Sequence, residues 1–284
     1  MEHQPVVTRH VWLVSEGERV LQERPVVLEE PLALYINGQQ AAVLMRLPGM
    51  EKELAIGFCL SEGLVRRFAD ILMVHHCGQG LPEPAPNAAE GDPFSRNRVD
   101  MRVAPEGLNP SARLEVVRLI RAGCGAVDVA RAELPLEPLS VDLTVSAETI
   151  LSLGRALRQN QSLHEAVGGV HAVALFDASG TLLALAEDVG RHNAMDKVIG
   201  YAALYNIPLE DKILLSSGRL SYEMVSKALR VRIPVLVSLS APTALAVSLA
   251  ERFGQTLIGY LRRGRMTVYS HAERMTYKGE RFSA

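Results

Sequence analysis

Residues 187 to 197 read Glu187-Asp188-Val189-Gly190-Arg191-His192-Asn193-Ala194-Met195-Asp196-Lys197. Acids, an arginine, a histidine and an amide fall within one glycine-hinged turn, a set that can donate to an anion or handle a proton. A second polar stretch, Ser216-Ser217-Gly218-Arg219-Leu220-Ser221-Tyr222-Glu223, adds hydroxyls and another arginine. Each stretch follows an apolar run and precedes an apolar periodic one, so each reads as a strand-to-helix junction. In α/β folds such junctions, at the carboxyl ends of strands, are where ligands bind. Side by side they would make an anion site from converging amides and hydroxyls. The plainer alternative is a capped helix, with Asn193 as N-cap and Asp196 in its first turn. That alternative leaves Asp188, Arg191 and His192 without a task.

A third stretch, Tyr260-Leu261-Arg262-Arg263-Gly264-Arg265, falls between two strands. Residues 255 to 284 hold six Lys/Arg against two Glu, a local +4 in a chain whose formal net charge is −2. A solvated basic face would account for it, but arginines crowded into a tight hairpin suit phosphate recognition. Cys124 stands between Gly123 and Gly125, with no apolar neighbours to pack against. It is either an incidental small residue in a linker or a thiol on a swinging arm. Arg118 and Arg121 would favour its thiolate, whereas a preceding helix C-terminus would oppose it. The three cysteines, Cys59, Cys77 and Cys124, are odd in number and widely spaced, as reduced thiols are. Cys77 beside His75 and His76 invites a metal reading, but neither a CxxC pair nor an HExxH is present, and no metal site is assigned.

These residues need elements to position them. Up to about residue 103 the chain reads mainly as strands, with alternation in 11–14, 32–36 and 41–45 and a hairpin signal at Asn37-Gly38. One helix interrupts them, Glu51 to Glu62, with Leu54, Ala55, Phe58 and Cys59 on one face and Gly63 as its stop. Gly78 to Asn97, rich in proline and glycine, marks a surface excursion. Asn109-Pro110 opens a predicted helix over Ser111 to Ala122. From 141 onward helices near 146–160, 193–205, 221–230 and 242–253 alternate with strands at 170–177, 181–187, 212–216, 234–239, 256–261 and 266–270. The expected organisation is a mainly-β part over 1–110, a cysteine-bearing arm over 111–140, and an α/β part over 141–284.

With 284 residues, 48% apolar and 22% charged, the composition is that of a soluble globular protein with no overall nucleic-acid signature. No segment reaches the roughly 18–20 apolar residues of a membrane helix, and the start MEHQPVVTRH lacks a signal-peptide h-region. A cytoplasmic location is expected, with neither nucleic acid nor membrane as partner.

Four motifs, Asp188 to Lys197, Ser216 to Val225, Gly57-Phe-Cys-Leu-Ser-Glu-Gly63 and Gly123-Cys-Gly125, resemble the FdhD family in the same order, and the resemblance runs from about Pro31 to His271. It implies an accessory sulfurtransferase of formate dehydrogenase: a cytoplasmic homodimer that takes persulfide sulfur from a cysteine desulfurase. That sulfur would pass to the molybdenum cofactor in its bis-molybdopterin guanine dinucleotide form. It makes Cys124 the persulfide carrier and Tyr260 to Arg265 the cofactor-binding loop. It also implies a C-terminal part similar to the cytidine deaminase fold. Zinc deaminases hold H-x-E and P-C-x-x-C at two helix starts; here those places hold His192-Asn193-Ala194 and Ser216 to Ser221, so deamination is not expected. The emptied pocket would take guanine nucleotide, with Arg191, His192, Asn193, Ser216, Ser217, Arg219, Ser221 and Asp188 around it. One departure matters: where many members have Cys-x-x-Cys, the second position is Val127. A single thiol can accept and donate sulfur but cannot relay it internally. The rival expectation is a cofactor chaperone without sulfur chemistry, and a hydrolase built on His192 and Asp188 is a third.

Overall fold

The computed structural model describes residues 5–77, 97–109, 118–120 and 136–282. In chain order, β1 (Val6–Ser15) and β2 (Glu18–Val27) form a hairpin; β3 (Glu30–Ile36) and β4 (Gln39–Arg46) form another. Asn37 and Gly38 both take positive φ (49° and 83°), as a two-residue turn matched to strand twist demands. Helix α1 (Glu51–Ser61) follows, then β5 (Ile71–His76), β6 (Arg98–Val103) and β7 (Arg118–Ile120). Next come β8 (Val145–Ser146), α2 (Ala147–Asn160), α3 (Ser162–Ala166), β9 (His171–Phe176), β10 (Leu182–Asp188) and α4 (Arg191–Leu204). The chain continues through β11 (Ile213–Ser216), α5 (Tyr222–Arg230), β12 (Val235–Ser238), α6 (Ala244–Phe253), β13 (Thr256–Arg262) and β14 (Arg265–Ser270), and closes with β15 (Met275–Tyr277) and β16 (Glu280–Arg281).

Among the described residues the main sheet has the order β10-β9-β11-β12-β13-β14, with β11, β12 and β13 parallel and β9 and β14 antiparallel to their neighbours. Alternation sorts its side chains: Val173, Leu175 and Leu214 face α4, α5 and α6, while Ala174, Phe176 and Leu215 face α2. Both faces are therefore covered, as the parallel strands β11, β12 and β13 at its centre require. The second sheet, β5-β6-β3-β4-β7, packs on α1. That helix then meets α4 on its other side, which explains why Leu54 through Cys59 are all buried rather than one stripe of them. The crossing is close. A Cβ on Gly57 would lie 1.8 Å from the Asp196 carbonyl oxygen, and one on Gly200 would lie 1.8 Å from that of Glu53. The architecture is mixed α/β, as expected, with α1 and α4 joining the two sheets.

Two local expectations are corrected. The helix expected over Ser111 to Ala122 gives way at Arg118–Ile120, a strand parallel to β4 with Ile120 opposite Leu44; adding to a sheet edge overrides helical periodicity, and the rest of that span lies outside the described residues. Helix α4 begins two residues earlier than expected, with Gly190 as N-cap and no side-chain cap. Asn193 and Asp196 are consequently inside the helix and turn to other partners.

Candidate functional site

The carboxyl ends of β10, β11, β12 and β13 and the start of β9 share one edge of the main sheet. Here the two junctions meet: a Cβ on Gly218 would lie 3.0 Å from Arg191 Cδ and 3.2 Å from His171 Nδ1. A side chain at this position would make Arg191 and His171 give way by a few tenths of an ångström. A cleft of about 1490 Å³ opens along the edge, lined among others by Arg155 and Arg158 of α2, His171, Ser217, Arg262 and Arg263. At its rim Glu187 accepts bonds from the Leu163 and His164 amides, both at 2.9 Å, and so fixes α3. The hairpin wall is shaped by a register shift between Gly259 and Arg262, with Tyr260 at φ 52° and Gly264 at φ 71°. Arg262 donates to the Leu239 carbonyl, which steadies one guanidinium.

The expected site residues divide into two groups. Leu261, Arg262, Arg263, Gly264 and Ser217 line the cleft, while Tyr260, Arg265 and Arg262 border a smaller cavity of about 240 Å³ on the same hairpin. Ser217 Oγ accepts from the Ala172 amide at 2.9 Å. Arg219 is exposed, and Ser221 begins α5 with a buried hydroxyl that makes no hydrogen bond among the described residues. His192 Nε2 lies 3.0 Å from Glu223 Oε2, joining the first turns of α4 and α5.

The others turn away from the cleft. Asp188 is fully buried and takes Lys197 Nζ at 2.8 Å, the Gly190 amide at 3.0 Å, Asn193 Nδ2 at 3.1 Å and the Leu47 amide at 3.2 Å. Asn193 also donates to the Met45 carbonyl at 2.7 Å, and Ser216, fully buried, accepts from the Gly218 amide at 3.1 Å. Asp188 and Asn193 thus stitch the end of β4 to the start of α4, and their polar atoms are already engaged. Asp188 ends β10 and Asn193 lies in the first turn of α4, and both are held by bonds within the protein.

Sequence reasoning missed Arg155, Arg158 and His171. The two arginines sit one turn apart on α2, and His171 opens β9 directly opposite Asp188. Burial lowers the His171 pKa, with Arg191, His192 and Arg219 adding to the effect, so the ring is neutral at pH 7. Unmatched arginines at helical spacing were the available signal. Among the described residues no group of three metal-ligating side chains comes together, and no helix is long and apolar enough to cross a membrane. Cys124 lies outside the described residues.

Fold and site together define a mixed α/β protein whose strand ends open onto an arginine-walled cleft. Residues 27–276 match the FdhD/NarQ family, and the chain belongs to that family. The sulfur carrier protein FdhD of Mycobacterium tuberculosis is 38% identical over 274 residues, covering 94% of this chain and 98% of its own. That of Sulfurisphaera tokodaii is 39% identical over 271 residues, covering 93% and 97%. Among solved structures, a formate dehydrogenase accessory protein from Desulfotalea psychrophila superposes with a TM-score of 0.73 at 24% identity, covering 96% of this chain and all of that one.

Proposed function

We propose that this chain is a sulfur carrier for formate dehydrogenase maturation. Cys124 takes sulfur from a cysteine desulfurase: its thiolate attacks the terminal sulfur of the donor's persulfide, the S–S bond there breaks, the donor's thiolate leaves, and Cys124 becomes the persulfide. The terminal sulfur then passes to the molybdenum cofactor, the substrate, whose guanine dinucleotide arms would lie in the arginine-walled cleft: the Cys124 S–S bond breaks, Cys124 leaves as the thiol, and the two electrons that take the sulfane sulfur to sulfide come from the reduced metal of the substrate. The relatives' name, sulfur carrier protein, supports the sulfur chemistry. The observation that carries the assignment to Cys124 is the state of the other thiols. Burial pushes the Cys59 thiol up, with Asp196 adding to it, and burial together with a hydrogen bond to Asp100 raises that of Cys77. A protonated thiol is a poor nucleophile.

Connectivity also favours this reading. Ile120 is held against Leu44 on β4, and Met45 accepts from Asn193 at the junction. Cys124 is four positions beyond Ile120, about 14 Å of chain at full extension. The β1–β2 hairpin pairs with no other strand among the described residues and exposes Trp12, Leu13, Val14 and Leu21, which supports a homodimer, since a lone two-stranded ribbon is marginal in water. We place that dimer in the cytoplasm.

Val127 in the usual second-cysteine position favours one rival, a cofactor chaperone that carries no sulfur. Intact mass after incubation with a cysteine desulfurase and cysteine separates the two. The expected result is a gain of one sulfur that Cys124→Ala abolishes and that Cys59→Ala and Cys77→Ala retain. No gain in any of these proteins establishes the chaperone reading instead.

A further inference from the structure

The cleft has two walls, and the sequence motifs marked only the hairpin. Helix α2 forms the other, because Ile150, Leu153 and Leu157 bury its apolar side against the main sheet and leave Arg155 and Arg158 exposed on the cleft. The two guanidinium groups are three positions apart, close enough to repel one another. No acid offsets them along the helix: positions three and four away from Arg155 hold Leu151, Ser152, Arg158 and Gln159, and those from Arg158 hold Gly154, Arg155, Gln161 and Ser162. Neither makes an ion pair among the described residues. Of the residues lining the cleft, Glu165 is the one acid set against Arg155, Arg158, Arg262 and Arg263.

The walls are also held near each other. Gly154, just before Arg155, faces Leu261 of the hairpin, and a Cβ there would lie in ordinary contact, 3.4 Å from Leu261 Cδ2. Uncompensated arginines on both walls of one cleft fit a ligand with adjacent anionic groups, since each planar guanidinium can take a phosphate through paired N–H donors.

We infer that Arg155 and Arg158 form a second anion-binding bank opposite Arg262 and Arg263, so that the cleft selects a pyrophosphate held between the walls over a single phosphate. The ligand class is a nucleoside diphosphate or a dinucleotide. This rests on the nucleotide-binding part of the proposed function and adds a specificity element to it.

Calorimetric titration of the full chain with GDP and with GMP tests it. The unsubstituted protein binds GDP about tenfold more tightly than GMP. Arg155→Gln/Arg158→Gln removes that preference, weakening GDP about tenfold while GMP stays within about threefold. Arg155→Lys/Arg158→Lys recovers part of the preference, because charge remains while the planar fork is lost. If the double Gln variant keeps full GDP affinity while Arg263→Ala loses it, the second bank is refuted and nucleotide binding stands. If the unsubstituted protein binds neither nucleotide, both fall.

Discussion

The seam between α1, α4 and α5 and the cleft between α2 and the β13–β14 hairpin both collect charged side chains, under opposite conditions. In the seam every charge has its match. Lys197 lies 2.8 Å from Asp188; Lys227 lies 2.8 Å from Asp196 and 2.9 Å from Glu62, while Ser61 Oγ donates to Asp196 at 2.6 Å. In the cleft, Arg155, Arg158 and Arg263 are exposed and make no ion pair among the described residues. A buried charge without a partner is costly, so the seam must be complete before any ligand arrives. Exposed arginines are cheap to leave open in water and gain bonds when an anion enters. Charge therefore holds the two sheets together in one region and is left open to solvent in the other.

The contrast breaks most visibly at Lys227. Lys227→Met strands the Asp196 carboxylate and should cost about 3–5 kcal/mol in urea unfolding; an unchanged midpoint would mean that the seam does not depend on its charges. The deficit should narrow as pH falls. Burial pushes the Asp196 carboxyl up, with Lys227 opposing that rise, so removing the lysine raises it further. A carboxyl whose folded value lies above its unfolded one binds its proton first in the folded state. Its contribution is then present at low pH and lost as pH rises.

Gly57→Ala comes next, since its methyl group would meet the Asp196 carbonyl oxygen, where two backbones already touch. Overpacking of this kind costs about 1–3 kcal/mol. A melting temperature equal to the parent's would show that α1 can slide.

On the cleft side, replacing Arg263 and Arg265 by Ala should leave stability within about 0.5 kcal/mol, as surface changes do. Nucleotide affinity should fall and become less sensitive to salt. Unchanged affinity would make the basic hairpin a docking surface for another protein. The smallest effect belongs to His171. Burial, with Arg191 behind it, depresses its pKa, so it should gain charge only below the ordinary value of about 6.5. Nucleotide affinity should be flat above neutral pH and rise modestly on acidification, and His171→Gln should flatten that rise. The same sign makes protonation of His171 slightly destabilising as pH falls.

Much of the fold was legible because its signals are local. Asn37-Gly38 dictates a hairpin through positive φ. The alternation between residues 146 and 270 marks the longer strands and helices to within a few residues, while the short β8, α3, β15 and β16 gave no such signal. Other features were not legible because they depend on partners distant in sequence. The stretch Arg118–Ile120 becomes a strand only because β4 offers it a free edge. The burial of α1 on every side follows from having a sheet on one face and α4 on the other.

The sequence alone determined that acids, amides, hydroxyls and arginines gather at two helix starts and one hairpin, since turn chemistry and periodicity are written in neighbouring residues. Only the tertiary structure decided which of them open onto the cleft. The end of β10 and the register of α4 turn Asp188, Asn193 and Asp196 inward to satisfy a buried seam, and the packing of α2 on the main sheet brings Arg155 and Arg158 to the cleft. A side chain's task is set by the partners its environment leaves it, and those partners are far away along the chain, 166 residues for Lys227 and Ser61.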